Sequence, residues 1–129
     1  MIYLDTSVAL AQMLAEDRVP PPSLWSEPLV SSRLLEYELW ARINGMGLRK
    51  SHGDDVRSLV ARISFVELTR EATARSTEPF PIPVRTLDAL HLAAMDFLRS
   101  HGQDVQLASY DKRLVAAAKR IGIKAVPRM

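Results

Sequence analysis

The chain has 129 residues, 47% of them hydrophobic, no cysteine and a formal net charge of +2, which suits a single domain spanning residues 1–129 that buries roughly two-thirds of its unfolded surface. Without cysteine there is no disulfide framework, thiolate metal site or cysteine nucleophile. No apolar run approaches the roughly 20 residues of a membrane span and the amino terminus lacks the pattern of a signal peptide, so we expect a soluble, cytoplasmic protein that does not bind membranes.

The first half of the chain predicts strands and helices in alternation. Apolar residues three and four apart mark the helices, and Ser7 and Ser32 are candidate helix caps. The prolines at 20–22 must break the first helix, because proline cannot donate a backbone hydrogen bond. The predicted order is strand 2–5, helix 7–16, strand 28–31, helix 32–45 and helix 51–63.

The second half continues this alternation. Its helix from Thr86 has the strongest helical pattern of the chain, and the proline-rich segment 81–83 is a rigid connection and not a central strand. The predicted order is extended segment 65–68, a short helix from Thr69, helix 86–98, strand 105–109, helix 113–120 and strand 123–126. Four short strands among helices predict an α/β fold, a three-layer α/β/α domain around a mostly parallel sheet.

Four carboxylates occupy positions where such a fold gathers chemistry. Asp5 and Asp111 each follow a strand, so in a parallel sheet both emerge at the same edge. Asp88 lies in the first turns of its helix, where the helix dipole favours a carboxylate. Glu38 lies on a largely inward helix face, where an unpaired charge is costly. A hard divalent cation would satisfy several such acids together, since it prefers carboxylate oxygens and retains part of its water.

Each acid also has a purely structural interpretation. Asp5 is a favourable helix cap, and Asp88 can serve the helix dipole alone. Asp111 can be a turn residue, and Glu38 can be a surface residue in an ordinary helical pair. His91, three residues after Asp88, fits a buried structural histidine better than a metal ligand. The combination of four acids, more than any one of them, favours a site.

Charge is unevenly distributed along the chain. Residues 1–38 carry six acids and two bases, whereas residues 105–129 carry six bases and one acid. An acidic pocket beside a basic end would suit a cation and a polyanion together, and a solvated helix face is the alternative. Lys112 and Arg113 follow Asp111 directly, so they are candidates for binding phosphates.

The motifs resemble the successive signatures of the PIN domain, and in particular those of VapC-type ribonuclease toxins. The resemblance rests on Ile-Tyr-Leu-Asp-Thr-Ser at 2–7, Ser-Arg-Leu-Leu-Glu-Tyr-Glu-Leu at 32–39, Arg-Thr-Leu-Asp-Ala-Leu-His-Leu-Ala at 85–93 and Leu-Ala-Ser-Tyr-Asp-Lys-Arg-Leu at 107–114. It runs from Met1 to about Pro127 in the expected order and at the expected separations. Each motif alone is loose, but four in order make the resemblance specific.

The resemblance implies a Mg²⁺- or Mn²⁺-dependent endoribonuclease with four catalytic acids. Asp5 and Asp88 would bind the metal, and Glu38 and Asp111 would do so directly or through water. Ser109 matches the small hydroxyl residue two positions before the last acid and supports the site. The catalytic acids that the family pattern assigns are Asp5, Glu38, Asp88 and Asp111. Glu36 is a rival for the role of Glu38, but the spacing from Ser32 to Glu38 is the usual one.

The resemblance also implies partners: RNA as substrate, a cognate VapB-like antitoxin and a second copy of the chain in a homodimer. The aliphatic residues of the helices at 31–45 and 51–63 are the predicted partner surfaces. The alternative is a non-catalytic PIN-like module that binds RNA or a protein, but retention of all four acids favours the nuclease. A haloacid-type phosphatase would need a second aspartate at position 7, where Ser7 stands, and the chain has no glycine-rich phosphate loop.

Overall fold

A four-stranded parallel sheet forms the centre of the fold in the computed structural model, which describes residues 1–129. The strands are β1 (Ile2–Leu4), β2 (Leu29–Ser32), β3 (Ile63–Val66) and β4 (Gln106–Ala108). Their order across the sheet is β3-β2-β1-β4, and every neighbouring pair is parallel. The carboxyl end of β1 therefore lies between those of β2 and β4.

Helices cover both faces of this sheet. The helices on one face are α1 (Thr6–Leu14), α2 (Leu34–Gly45) and α3 (Arg49–Ala61), and those on the other are α4 (Arg70–Thr73), α5 (Thr86–Ser100) and α6 (Lys112–Arg120). Successive residues of β1 point to opposite layers, since Ile2 and Leu4 join one apolar cluster and Tyr3 the other. The predicted three-layer α/β/α fold is confirmed. No helix has both the length and the apolar character needed to cross a membrane.

Two helix starts show how the polar residues act locally. Asp5, and not Ser7, is the N-cap of α1, and the helix ends at Leu14 because Ala15 adopts a left-handed conformation with φ 49°. The N-cap position of α2 is Arg33 and not Ser32 as predicted, but the Oγ of Ser32 still accepts a hydrogen bond from the Leu34 amide at 3.1 Å and so serves the start of the helix. Asp5 and Ser32 both lie at carboxyl ends of strands, so the first turns of α1 and α2 lie at one edge of the sheet.

Two strand predictions were wrong in their boundaries. Ile63 begins β3 and does not belong to α3, because a short apolar run fits a helix and a buried strand equally well by spacing alone. Residues 123–126 form a single parallel bridge between Leu107 and Ala125 and not a full strand. That bridge still extends the sheet beyond β4, and it places the carboxyl-terminal segment beside α6.

The helices α2 and α3 turn their aliphatic side chains into the core, which contradicts the predicted partner surfaces there. The side chains that are fully buried are Leu35, Leu39, Ile43 and Val56, each of which stabilises the fold by roughly 1.5–3 kcal/mol. The large apolar side chains left more than half exposed on or beside α2 are Tyr37 at 56% and Met46 at 51%. A partner of α2 would therefore meet mainly its polar face, with Tyr37 and Met46 as the large apolar side chains available for contact.

Candidate active site

Asp5 is a buried carboxylate at the carboxyl end of β1, and only 7% of the residue is exposed. Its Oδ2 accepts hydrogen bonds from the hydroxyls of Ser7 at 2.6 Å and Ser109 at 2.8 Å. Its Oδ1 has no hydrogen-bond partner in the protein and is not sealed from solvent. A carboxylate with one oxygen saturated and the other free is fixed in orientation, yet remains able to bind an incoming group.

Two serine hydroxyls join the ends of β1 and β4. Ser7 Oγ accepts from the Tyr110 amide at 3.0 Å, and Ser109 Oγ accepts from the Asp111 amide at 2.9 Å, while both donate their protons to Asp5. The structure thus places Ser109 in direct contact with Asp5. Sequence reasoning missed the matching role of Ser7, although a hydroxyl two residues after a strand-ending acid was the available signal.

Glu38 reaches the same edge of the sheet from α2. Its Oε1 accepts hydrogen bonds from Thr6 Oγ1 at 3.1 Å and His91 Nε2 at 2.7 Å, while its Oε2 has no partner in the protein. Thr6 follows Asp5 directly, so the contact holds Glu38 against the first turn of α1. The rival Glu36 pairs instead with Arg33 at 2.9 Å.

His91 links Glu38 to the core and is 2% exposed, as expected for a buried histidine. Its Nδ1 lies 2.7 Å from the hydroxyl of Tyr3, which also accepts from the Ser32 amide at 3.2 Å. The arrangement that satisfies every group has Tyr3 donating to Nδ1 and His91 donating its Nε2 proton to Glu38. Burial raises the pKa of Tyr3 above its ordinary value, so the hydroxyl keeps its proton.

Asp88 lies in the first turn of α5 and has no hydrogen-bond partner in the protein. Its pKa is raised above the ordinary value, first because partial burial penalises the charged form and then because Asp111 and Asp5 are negative. His91 and Arg85 oppose this rise. The structure therefore brings Asp88 within electrostatic range of both Asp5 and Asp111, which lie far away in sequence.

Asp111 is the N-cap of α6. Its Oδ1 accepts from the amides of Arg113 at 2.9 Å and Leu114 at 3.2 Å, while Oδ2 has no partner in the protein. Capping of α6 therefore engages only one of the two carboxylate oxygens of Asp111. The two basic residues that follow it, Lys112 and Arg113, are both exposed. Lys112 lines an open groove together with Ser109, and Arg113 does not.

The four acids share one pattern, since each keeps at least one carboxylate oxygen free of protein donors. No three acid or histidine side chains approach closely enough to form a closed metal site. The donor chemistry nevertheless fits a hard divalent cation, because every candidate ligand is a carboxylate oxygen. The pKa of Asp88 is raised first by partial burial and then by repulsion from Asp111 and Asp5, and a cation among these acids would replace that repulsion by attraction.

Three similarities to known proteins cover almost the whole chain. The PIN domain matches residues 2–122. Ribonuclease VapC35 of Mycobacterium tuberculosis, strain ATCC 25618 / H37Rv, is 31% identical over 133 residues, covering 98% of this chain and 96% of that protein. Ribonuclease VapC47 of Mycobacterium tuberculosis, strain CDC 1551 / Oshkosh, is 25% identical, covering 95% of this chain and 93% of that protein. No solved structure matches the chain with significance.

Proposed function

The chain belongs to the PIN domain family, and from this premise we propose that it is a VapC-type endoribonuclease, the toxin of a VapBC-type toxin-antitoxin pair, that hydrolyses RNA phosphodiester bonds with Mg²⁺ or Mn²⁺. The near full-length similarity to two proteins named ribonucleases supports RNA cleavage. The observation that carries the proposal is the buried carboxylate of Asp5 at the sheet edge, which keeps one oxygen free of protein donors. Asp5 is close enough to Asp88 to add to the rise that burial causes in the pKa of Asp88, and the next residue, Thr6, donates a hydrogen bond to Glu38.

Asp5 and Asp88 would hold the cation, with Glu38 and Asp111 binding it directly or through water. A bound divalent cation lowers the pKa of a water molecule and stabilises the negative charge that develops on a phosphate under attack. The protein's own groups orient these ligands. Ser109 and its counterpart Ser7 saturate Oδ2 of Asp5, so the free Oδ1 keeps one direction.

Water is the nucleophile in this proposal, since the side chains that could replace it are already engaged. Ser7 and Ser109 donate to the carboxylate of Asp5 and have no histidine beside them. Both nitrogens of His91 are bonded, to Tyr3 and Glu38, and no serine contacts the ring. A serine-histidine triad of the kind used in acyl transfer is therefore not formed.

The proposed partners are an RNA substrate, a VapB-like antitoxin and a second copy of the chain. Lys112 and Arg113 are the proposed phosphate contacts next to Asp111, and a nuclease acting on cellular RNA would work in the cytoplasm. Replacing both basic residues by glutamine should weaken RNA binding and flatten its salt dependence. An unchanged salt slope would remove this pair from the RNA-binding surface. Sedimentation of the purified chain measures whether it is a dimer.

A second candidate function is a non-catalytic PIN-like module that binds RNA or a protein. One observation favours it, namely that no three acid or histidine side chains form a closed metal site in the protein. Such a module would bind RNA equally well with and without a divalent cation and would leave it intact.

Cleavage of a structured RNA in Mg²⁺, Mn²⁺ or EDTA separates the two candidates. We expect wild type to cut with either metal and Asp5→Asn and Asp88→Asn to lose at least about 100-fold in rate, because each removes a charged ligand. Asp54→Asn is the matched control, since the side chain of Asp54 is fully exposed and pairs with Arg57, which is not part of the cluster. Equal cleavage by all four proteins would indicate a contaminant, and binding without cleavage would support the binding module.

A further inference from the structure

An open groove begins beside the carboxylate cluster and runs between α6 and the carboxyl-terminal segment. Its volume is about 1000 Å³, at the upper end of the roughly 300–1,000 Å³ found for ligand sites. Ser109 and Tyr110 line one end of it, and Ser109 is the residue that donates to Asp5 at 2.8 Å. A ligand lying in the groove would therefore reach the proposed site of cleavage.

The lining of this groove is basic. Its charged side chains are Arg18, Lys112, Lys119 and Arg128, and no acidic side chain lines it. The whole chain has a net charge of only +2, so the groove concentrates positive charge beside an acidic cluster. A groove lined by four cations attracts anions, and a polyanion suits it better than a small anion because a polyanion can contact several of the cations at once.

The cations are spaced along the groove. Arg18 is fixed at the end near the cluster, since it donates to the backbone oxygen of Tyr110 at 3.2 Å and lies over the Tyr110 ring at 5.3 Å from its centre. Lys112 and Lys119 are seven residues apart on α6, a rise of about 10 Å. That distance corresponds to about three nucleotides of a stacked strand, at about 3.4 Å each.

The floor between the lysines is apolar. Val115 and Ala116 lie on it from α6, and Val126 and Pro127 from the carboxyl-terminal segment. A small hydrated anion would make no favourable contact with these apolar side chains. The sugars and bases of a single strand can pack on them while the phosphates contact the lysines.

We propose that this basic groove binds the single-stranded segment of RNA that flanks the bond to be cut, with Arg18, Lys112, Lys119 and Arg128 contacting phosphates at intervals along the strand. The inference rests on the proposed ribonuclease function and extends it, because it adds three contacts outside the family motifs and gives the strand a path. Arg120 and Lys124, close to Lys119 and Arg128 in sequence, do not line the groove.

Two matched double variants test this groove without touching the carboxylate cluster. Lys119→Gln with Arg128→Gln removes two charges from the groove, and Arg120→Gln with Lys124→Gln removes two exposed charges outside it, each pair from α6 and the terminal segment. Fluorescence anisotropy with a labelled single-stranded RNA of about 20 nucleotides, in EDTA and at several salt concentrations, measures binding without cleavage. Circular dichroism verifies that both variants are folded.

We expect the groove pair to bind RNA about tenfold more weakly near 0.15 M salt and to lower the salt slope by about 1.4, since each phosphate contact on a single strand contributes about 0.7. The control pair should stay within about twofold of wild type. Equal losses in both pairs would show that only total charge matters and would overturn the inference.

A poly-glutamate peptide is the second probe, because an acidic protein segment carries the same charge without sugars or bases. If the groove substitutions weaken RNA binding more than they weaken peptide binding, the RNA assignment is supported. If they weaken both equally, the assignment is overturned. If wild type binds RNA in the groove but never cleaves it, the proposed ribonuclease function is wrong, whereas the assignment of the groove as an RNA-binding site is supported. If wild type cleaves and the groove pair binds like the control pair, this inference alone fails.

Discussion

His91 donates its Nε2 proton to Oε1 of Glu38 across 2.7 Å, although the two residues lie 53 positions apart in the chain. The same ring accepts from Tyr3 at its other nitrogen, so a core tyrosine sets the orientation of a carboxylate at the sheet edge. Polar groups that orient a metal ligand in this way commonly change metal affinity when they are removed. The first two predictions follow from this chain of hydrogen bonds.

Replacing Tyr3 by phenylalanine should destabilise the protein by about 1–3 kcal/mol. The change leaves Nδ1 of His91 and the buried amide of Ser32 without the partner they share, and a buried polar group without a partner costs about that much. Urea unfolding measures the difference. Tyr37→Phe serves as the control because 56% of Tyr37 is exposed, and equal stability of the two variants would contradict the prediction.

Replacing His91 by glutamine should weaken binding of Mn²⁺ by about 10–100-fold, the usual effect of removing a residue that orients a metal ligand. Titration with Mn²⁺ by calorimetry measures this directly and does not depend on cleavage. His101→Gln is the control, since His101 is exposed and its ring lies beside Glu71 and Phe97. If His91→Gln binds Mn²⁺ as tightly as wild type, the histidine does not orient Glu38.

The raised pKa of Asp88 predicts a pH-dependent effect of Asp88→Asn on stability without metal. The native state holds this proton more tightly than the unfolded chain does, where the pKa is about 3.9. The free energy of unfolding of wild type therefore falls as pH rises from the unfolded value through the native value, and it stays lower above that. Asparagine lacks this penalty. We expect the variant to be the more stable protein at pH 7.

Urea unfolding in EDTA at pH 3, 5 and 7 measures that effect. The advantage of Asp88→Asn over wild type should shrink toward zero at pH 3, where Asp88 is protonated in both states. A variant that is less stable than wild type at pH 7 would show that the carboxylate is not penalised in the metal-free protein.

Replacing Ser109 by alanine should reduce stability by about 1–3 kcal/mol, because it removes a donor to the buried Asp5 and the acceptor of the Asp111 amide. Ser109→Thr keeps the hydroxyl and should recover most of the loss. Thermal unfolding of both variants provides the comparison. Equal loss in the threonine variant would indicate that side-chain volume, and not the hydrogen bonds, matters at this position.

The sequence predicts the acids better than the groups that hold them. Asp5 and Asp111 could be assigned to one edge because parallel strands end together. Ser109 was named only through the family resemblance, and in the structure it donates a hydrogen bond to Asp5. The role of Thr6 depends on how α1 packs against α2, and that of Tyr3 on how β1 packs against α5. The Thr6–Glu38 and Tyr3–His91 hydrogen bonds join residues that are 32 and 88 positions apart in the chain, so no local sequence pattern predicts them.

Element boundaries failed where local chemistry is ambiguous. Ile63 follows a helical series of apolar residues and also opens a buried strand, so only its parallel pairing with Leu29 decides between the two. The spacing of aliphatic residues in α2 and α3 predicts an apolar face on each helix, but it does not distinguish a face covered by a partner from one covered by the core. An apolar stripe indicates burial but does not say against what.

The contact between Ser109 and Asp5 spans 104 positions of a 129-residue chain. During synthesis, Asp5 is made 104 residues before Ser109, which supplies its second hydroxyl. The edge that gathers the carboxylates can therefore be completed only after β4 has been made. Under the proposed function, a chain that stops before β4 lacks Ser109 and Asp111, and we expect it to be inactive.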